Sequence, residues 1–275
     1  MLSSEGRKVV AAWILLSVIA TPLVAFFAPR FYAPGNGSVQ ASDQVIDDTV
    51  ITAILTPVIC LLVVFFAYVL AAHRAPKGQE LRDGPPLRSD ATVQAIWVSM
   101  SAVTVLFLAG FGTYELLQNG SGGGQGPSPI AKPGGTKIPV QVIAQQWQFT
   151  YRFPQYGGVE TFSLALPVGR TVEFHVTSID VIHSFWAYQL GVKADAVPGA
   201  DNIAYTTPEH VGLFQIRCAE LCGLWHGYMA AHGHVLPAAG WRRWIAHARV
   251  ANAPATHYLP TYAKVYYPAP LERGG

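Results

Sequence analysis

Charged residues are scarce in this chain of 275 residues. They make up 12% of the sequence, against 51% hydrophobic residues, and soluble domains carry about twice that charged share. The formal net charge is only +2, and no basic run with interleaved aromatic residues occurs, so no nucleic-acid partner is expected. The shortage of charge instead predicts membrane-spanning segments.

Cysteine is also scarce, and its three residues are too few for a disulfide framework. The haem-attachment motif C-x-x-C-H is absent, which argues against a fused cytochrome domain. A glycine-rich stretch lacks the G-K-[ST] ending of a phosphate-binding loop. Two of the cysteines nevertheless share one segment, CAELCGLWHGYM at 218–229, while Cys60 lies alone in an apolar run and is predicted to be a buried, inert thiol.

Three uncharged stretches reach the length that a bilayer requires, roughly 20 residues. They span 9–28, 49–72 and 91–114. Each is predicted to be a helix, because a backbone inside a bilayer has no water to bond. We interpret the first as a retained helix and not a cleaved signal peptide, since its apolar run exceeds the usual h-region of about 7–15 residues.

The basic residues of the short loops predict the orientation of these helices. Arg74, Lys77, Arg82 and Arg88 lie between the second and third helices, whereas the loop between the first and second carries Arg30 and three aspartates. Because basic loops stay in the cytoplasm, everything after the third helix is expected outside the cell membrane.

The remaining chain changes character several times. Residues 119–137 are rich in glycine, serine and proline and predict a flexible linker. Short runs rich in β-branched and aromatic residues follow and predict an antiparallel sandwich or barrel, and AAGWRRWIAHARV predicts a terminal helix. The expected organisation is a first helix and external loop over 1–48, a helical hairpin over 49–118, the linker, a β domain over 138–250 and an extension over 251–275.

The segment 218–229 offers more ligands than a disulfide needs. A Cys218–Cys222 disulfide is the simplest reading outside the cytoplasm, but it explains neither His226 nor Met229. Thioether is a poor zinc ligand, whereas copper accepts thiolate, imidazole and thioether. A single blue copper would leave one cysteine unused, so two coppers bridged by both thiolates fit best.

Two further donors complete that arrangement. His183, in SIDVIHSFW, is the best second imidazole, and the backbone carbonyl of Glu220 between the cysteines is well placed as a last ligand. His232 and His234 are competing histidines, which we interpret as ordinary residues of the next strand.

These residues resemble subunit II of cytochrome c oxidase. The family's copper A motif, C-x-E-x-C-x-x-x-H-x-x-M, matches residues 218–229 in full, and SIDVIHSFW, GVKADAVPG and AQQWQFTY match other family stretches. The resemblance implies a membrane-anchored, all-β chain with a cupredoxin-like β-barrel. It also implies a dinuclear copper that takes electrons from cytochrome c and passes them to haem in subunit I, where oxygen is reduced to water.

The resemblance also implies roles for single residues. The Glu220 side chain would hold magnesium or manganese shared with subunit I, and Trp147 would be the site where electrons arrive from cytochrome c or from a haem c subunit of a supercomplex. Gln94 stands where many members carry a glutamate at a proton channel, so Asp90, one turn earlier, is a candidate replacement, against the simpler reading of a helix cap. Phe149 and Ala200 are departures from family tryptophan and arginine positions.

Other functions remain possible from the sequence. A quinol oxidase subunit would lack the copper ligands, and a nitrous oxide reductase would need a propeller-sized region that this chain does not have. A membrane-anchored copper chaperone or thiol-disulfide reductase would use the C-x-x-x-C pair with a distant histidine, and it is the main alternative.

Overall fold

The computed structural model describes residues 4–32, 35–72, 90–119 and 137–254. Contacts divide the chain into two units, one containing residues 1–32 and 46–112 and the other containing residues 33–45 and 113–275. The basic loop that predicts orientation, most of the predicted linker and the extension beyond residue 254 lie outside the described residues.

Three helices make up the apolar part of the chain. They are α1 (Ser4–Phe27), α2 (Val39–Ala72) and α3 (Ala91–Asn119). Each provides a span that is long and apolar enough to cross a membrane, which confirms the predicted transmembrane helices. Cys60 is buried and free in α2.

Helix α2 begins ten residues before the apolar run that predicts it. Ser38 caps it, because its hydroxyl accepts a hydrogen bond from the Ala41 N–H at 3.0 Å. The same hydroxyl donates to the Leu190 carbonyl at 2.8 Å, so residues 35–45 pack on the β domain. The acidic residues of this stretch suggested an external loop in the sequence, whereas the structure continues the helix through them.

Helix α3 begins at a second side-chain cap. The Asp90 carboxylate accepts hydrogen bonds from the N–H groups of Thr92 at 2.8 Å and Val93 at 3.1 Å. Asp90 is therefore the N-cap residue, while its role in proton uptake stays a prediction. Gln94 follows in the first turn and is exposed.

The β domain consists of ten strands and one helix. The strands are β1 (Ile138–Gln145), β2 (Gln148–Phe153), β3 (Val159–Thr161), β4 (Ala165–Pro167), β5 (Val172–Ser178), β6 (His183–Ala187), β7 (Val192–Ala196), β8 (Asn202–Thr206), β9 (Gly212–Cys218) and β10 (Ala230–Leu236). Helix α4 (Ala238–Ala251) follows them and buries Trp241, Ile245 and Ala248.

The strands form two five-stranded sheets, ordered β3-β2-β1-β5-β8 and β4-β10-β9-β6-β7. Alternating apolar residues of both sheets, such as Val140, Phe174, Phe185 and Phe214, fill one common core. The expected membrane-anchored chain with a cupredoxin-like β domain is confirmed.

Residues 139–153 form a hairpin, because the chain reverses at Gln146 and Trp147 and β1 pairs antiparallel with β2. One detail of the predicted sheet is wrong. The sheets are mixed and not purely antiparallel, since β1 runs parallel to β5 and β10 runs parallel to β4. Non-local pairing of this kind leaves no local signal in the sequence.

The pairing brings four connections to one end of the domain. They are residues 146–147, 179–182, 197–201 and 219–229. We call this the ligand end, because all of the predicted metal ligands lie in these connections or at the strand ends next to them.

Candidate metal centre

The two ligand-bearing segments meet because β6 pairs with β9. Phe185 of β6 lies opposite Cys218, the last residue of β9. His183 begins β6, two residues earlier, and so it lies beside the end of β9. The register of one strand pair therefore joins residues that are 35 positions apart.

The two thiols lie side by side without being bonded. Cys218 Sγ and Cys222 Sγ are 3.7 Å apart, well beyond the roughly 2.05 Å of a disulfide, and both cysteines are free. The donor atoms of His183, Cys218 and Cys222 all lie within 4.8 Å of one another, which makes this cluster a candidate metal site.

Each thiol also faces one imidazole. Nδ1 of His183 lies 3.8 Å from Cys218 Sγ, and Nδ1 of His226 lies 3.5 Å from Cys222 Sγ. His183 is fully buried, whereas His226 is only partly buried. The paired cysteines thus have an imidazole on either side.

A thioether and a carbonyl complete the set of donors. The Met229 sulfur lies 3.9 Å from Cys222 Sγ, and the Glu220 carbonyl oxygen accepts a contact from Cys218 Sγ at 3.2 Å. Two thiols, two imidazoles, one thioether and one carbonyl are the soft and borderline donors that copper accepts. The donor chemistry therefore fits copper better than zinc.

Burial disfavours ionisation of the Cys222 thiol when no cation is bound. Cys218, Cys222 and Met229 are buried. Burial, followed by the neighbouring Cys218 thiol, raises the pKa of Cys222 to about 12. Two thiolates side by side consequently require a bound cation to balance their charge.

Asp180 orients the buried imidazole. Its carboxylate accepts a hydrogen bond from His183 Nε2 at 2.9 Å, which leaves the lone pair on Nδ1 facing Cys218. Burial raises the pKa of Asp180, but the bonds from the Gln146 N–H, His183, the Val181 N–H and Ser178 outweigh it and lower the pKa overall. Asp180 is therefore a carboxylate at neutral pH.

The turn between β1 and β2 connects both ligand segments. The Gln146 N–H donates to Asp180 at 2.6 Å, and the Gln146 side-chain amide donates to the Cys222 carbonyl at 2.8 Å. Trp147 Nε1 donates to the same carbonyl at 3.1 Å, and its partly exposed ring packs against the core. This turn ties residues 179–182 to residues 219–229.

Comparison with known proteins relates this arrangement to a known family. Residues 160–234 match the family model described as cytochrome c oxidase subunit II, periplasmic domain. In this domain the chain resembles cytochrome c oxidase subunit II. The cluster of His183, Cys218 and Cys222 is consistent with a copper site.

The relatives differ in how much of this chain they cover. Cytochrome c oxidase subunit 2 of Thermostichus vulcanus is 26% identical over 79% of this chain and 79% of its own length. Its counterpart in Alkalihalophilus pseudofirmus is 30% identical over 68% of this chain and 53% of its own length. A crystal structure of the periplasmic domain of subunit II of cytochrome oxidase from Bradyrhizobium japonicum is 27% identical, covers 42% of this chain and 94% of that chain, and has a TM-score of 0.40.

Most of the ligands predicted from the sequence lie together in the structure. The donor atoms of His183, Cys218, Cys222, His226 and Met229 form one cluster, with the Glu220 carbonyl beside them. Glu220 is an exposed residue, and the binding of magnesium or manganese by its side chain stays a prediction. The competing histidines His232 and His234 are exposed on β10, away from the thiols.

Sequence reasoning missed Asp180 and Gln146. The sequence signal for Asp180 was its position three residues before His183, a spacing at which a carboxylate can bond to an imidazole. The only sequence signal for Gln146 was its position next to Trp147.

Proposed function

We propose that this chain is the subunit of a cytochrome c oxidase that receives electrons, and that it holds a dinuclear copper A centre. The observation that carries the proposal is the convergence of two thiols, two imidazoles, a thioether and a carbonyl at the ligand end. Bound there, the copper pair would accept and release one electron at a time.

The ligands proposed for the coppers are those described above. Cys218 and Cys222 would supply two thiolates, His183 and His226 two imidazoles, and Met229 and the Glu220 carbonyl the weaker donors. Burial of the thiols and of Met229 excludes water. Asp180 and the β1–β2 turn hold the donors in place before metal binds, so little rearrangement accompanies a change of charge.

Trp147 is the proposed site of electron arrival. It is partly exposed, and its indole nitrogen is hydrogen-bonded to the carbonyl of Cys222. The ring therefore lies one hydrogen bond from the backbone of a proposed ligand, which supports a short route from the surface to the thiolate.

The remaining assignments follow from the family. The proposed electron donor is cytochrome c, or a haem c subunit of a supercomplex, and the acceptor is haem in subunit I, where oxygen is reduced. The chain is proposed to cross the plasma membrane several times with its copper domain on the periplasmic side. The Glu220 carboxylate is proposed to share magnesium or manganese with subunit I.

Copper analysis of the purified full chain tests the centre. We expect two coppers per chain and the spectrum of a thiolate-bridged pair. Cys218→Ser and Cys222→Ser should each abolish that spectrum, because it requires both thiolates, while Met229→Leu should alter it less, because a thioether is a weak ligand.

Cys60→Ser is the matched control, since Cys60 is also a buried free cysteine but lies in α2. It should leave the copper content unchanged. One copper per chain, or a Cys218–Cys222 disulfide in the fully metallated protein, would refute the proposal and favour a chaperone or a thiol reductase.

A further inference from the structure

The ligand end of the domain carries little charge. Its four connections contain three charged residues, Asp180, Asp201 and Glu220, and no lysine or arginine. The Asp201 side chain is 1% exposed and bound to His175, and Asp180 is held by the four hydrogen bonds described above. Glu220 is exposed in this chain, but the proposed function assigns its carboxylate to a metal shared with subunit I. None of the three carboxylates is therefore available to pair with an electron donor.

The exposed lysines and arginines of the β domain lie outside these four connections. They are Arg170 before β5, Lys193 on β7, Arg217 on β9 directly before Cys218, and Arg242, Arg243 and Arg249 on α4. The lack of charge is thus confined to the connections themselves and is not a property of the whole domain.

Large apolar side chains occupy the same end instead. Leu221 is 84% exposed, Leu224 83% and Tyr228 79%. Trp225 is about half exposed and packs edge-on against Tyr228, with ring centroids 5.4 Å apart. Exposed apolar residues clustered in this way mark interaction sites in soluble domains.

This apolar surface is continuous with Trp147. Gly223 lies between Leu221 and Leu224 in sequence, and a Cβ built on it would come within 3.3 Å of the Trp147 ring. The proposed ligand Cys222 is buried next to Gly223 in the sequence, and its carbonyl accepts a hydrogen bond from the Trp147 indole. A protein docked on these residues would lie against the route proposed for electrons.

We infer that the electron donor docks on an uncharged apolar surface formed by Trp147, Leu221, Leu224, Trp225 and Tyr228. The occupant is a redox protein whose own electron-transfer edge is apolar and uncharged, and not one surrounded by lysines. The reason is complementarity. Lysines surrounding a haem edge would lose their hydration against leucine and tryptophan side chains, and no carboxylate of these connections would be available to pair with them. The inference rests on the proposed function, because it assumes that electrons arrive at this end.

The intact oxidase complex containing this chain provides the test. Two reduced soluble cytochromes serve as probes, one with an uncharged haem edge and one with a lysine-rich edge. Electron transfer to copper is followed by rapid mixing from roughly 10 mM to 1 M salt, over which the Debye length falls from about 30 to 3 Å. With the uncharged probe, we expect the second-order rate constant to change by less than about threefold, whereas electrostatic steering changes association rates by about 10- to 1,000-fold.

A single substitution tests the surface itself. Leu224→Glu should lower the rate constant of the uncharged probe by about tenfold or more, because a carboxylate must be desolvated on docking, and it should introduce salt dependence with the lysine-rich probe. Val250→Glu is the matched control, since Val250 is an apolar residue of α4 that is 77% exposed. It should change neither rate.

Three results would overturn the inference. The first is a faster and steeply salt-dependent reaction with the lysine-rich probe, and the second is no effect of Leu224→Glu. The third is loss of the other oxidase subunits from the Leu224→Glu complex, which would show that a subunit covers this surface. Copper content and spectrum are measured on every sample, so a missing copper centre, which would refute the proposed function, is distinguished from a different docking surface.

Discussion

Replacement of Asp180 by asparagine tests how the protein holds its copper ligands. One carboxylate oxygen accepts from His183 Nε2 at 2.9 Å, Ser178 Oγ at 3.1 Å and the Val181 N–H at 2.6 Å. The other accepts from the Gln146 N–H at 2.6 Å. An asparagine that keeps the first oxygen must point its NH2 group at the Gln146 N–H, so a donor meets a donor.

The expected loss of copper affinity in Asp180→Asn follows from these hydrogen bonds. A hydrogen bond to a charged group contributes about 1.5–3 kcal/mol. The Asp180 side chain is 30% exposed, so the lower end of that range applies, and about 1.4 kcal/mol corresponds to a tenfold change in affinity. The bond to His183 also loses its charge, and loss of such outer partners costs about 10- to 100-fold in metal affinity. We therefore expect Asp180→Asn to bind copper about 10- to 100-fold more weakly.

Competition with a copper chelator of known affinity measures this loss in the full chain in detergent. Glu209→Gln removes one exposed carboxylate from the opposite end of the β domain and should bind copper like the wild type. If Asp180→Asn matched that control in both copper affinity and absorption spectrum, the argument that Asp180 orients His183 would be refuted.

Four further predictions concern the stability of the chain and proton uptake. Gly233→Ala should destabilise the chain by about 1–3 kcal/mol in thermal unfolding, because its Cβ would overlap the buried ring of Phe214, while Gly212→Ala, whose Cβ would contact nothing, should not. Burial lowers the pKa of His175, but its bonds to Asp201 and Glu173 outweigh this and raise the pKa above the ordinary 6.5; Glu173 is also paired with Lys137, the residue before β1. The stabilisation is complete below pH 6.5 and is lost as pH rises through the folded pKa. Stability should therefore fall with rising pH in the wild type and not in His175→Gln. Asp90→Ala should cost about 0.5–2 kcal/mol of stability through loss of the α3 cap. Asp90→Asn should keep the cap, and it should slow proton uptake by the oxidase if the Asp90 carboxylate collects protons. Unchanged proton uptake would show that Asp90 acts only as a helix cap.

The sequence by itself determined much of this protein. Membrane helices are visible because the bilayer demands long uncharged runs. Most of the candidate ligands are visible because Cys218, Cys222, His226 and Met229 lie within one loop, where spacing alone keeps them close. The class of the external domain followed from short β-rich runs between turn residues.

Only the tertiary structure decided the rest. His183 reaches the thiols through the register of β6 with β9, and such registers depend on burial summed over both sheets and not on local sequence. Asp180 and Gln146 were missed because their roles are hydrogen bonds between connections that are distant in sequence. The early start of α2 was missed for the same reason, since Ser38 and the residues after it are helical where they pack on the β domain.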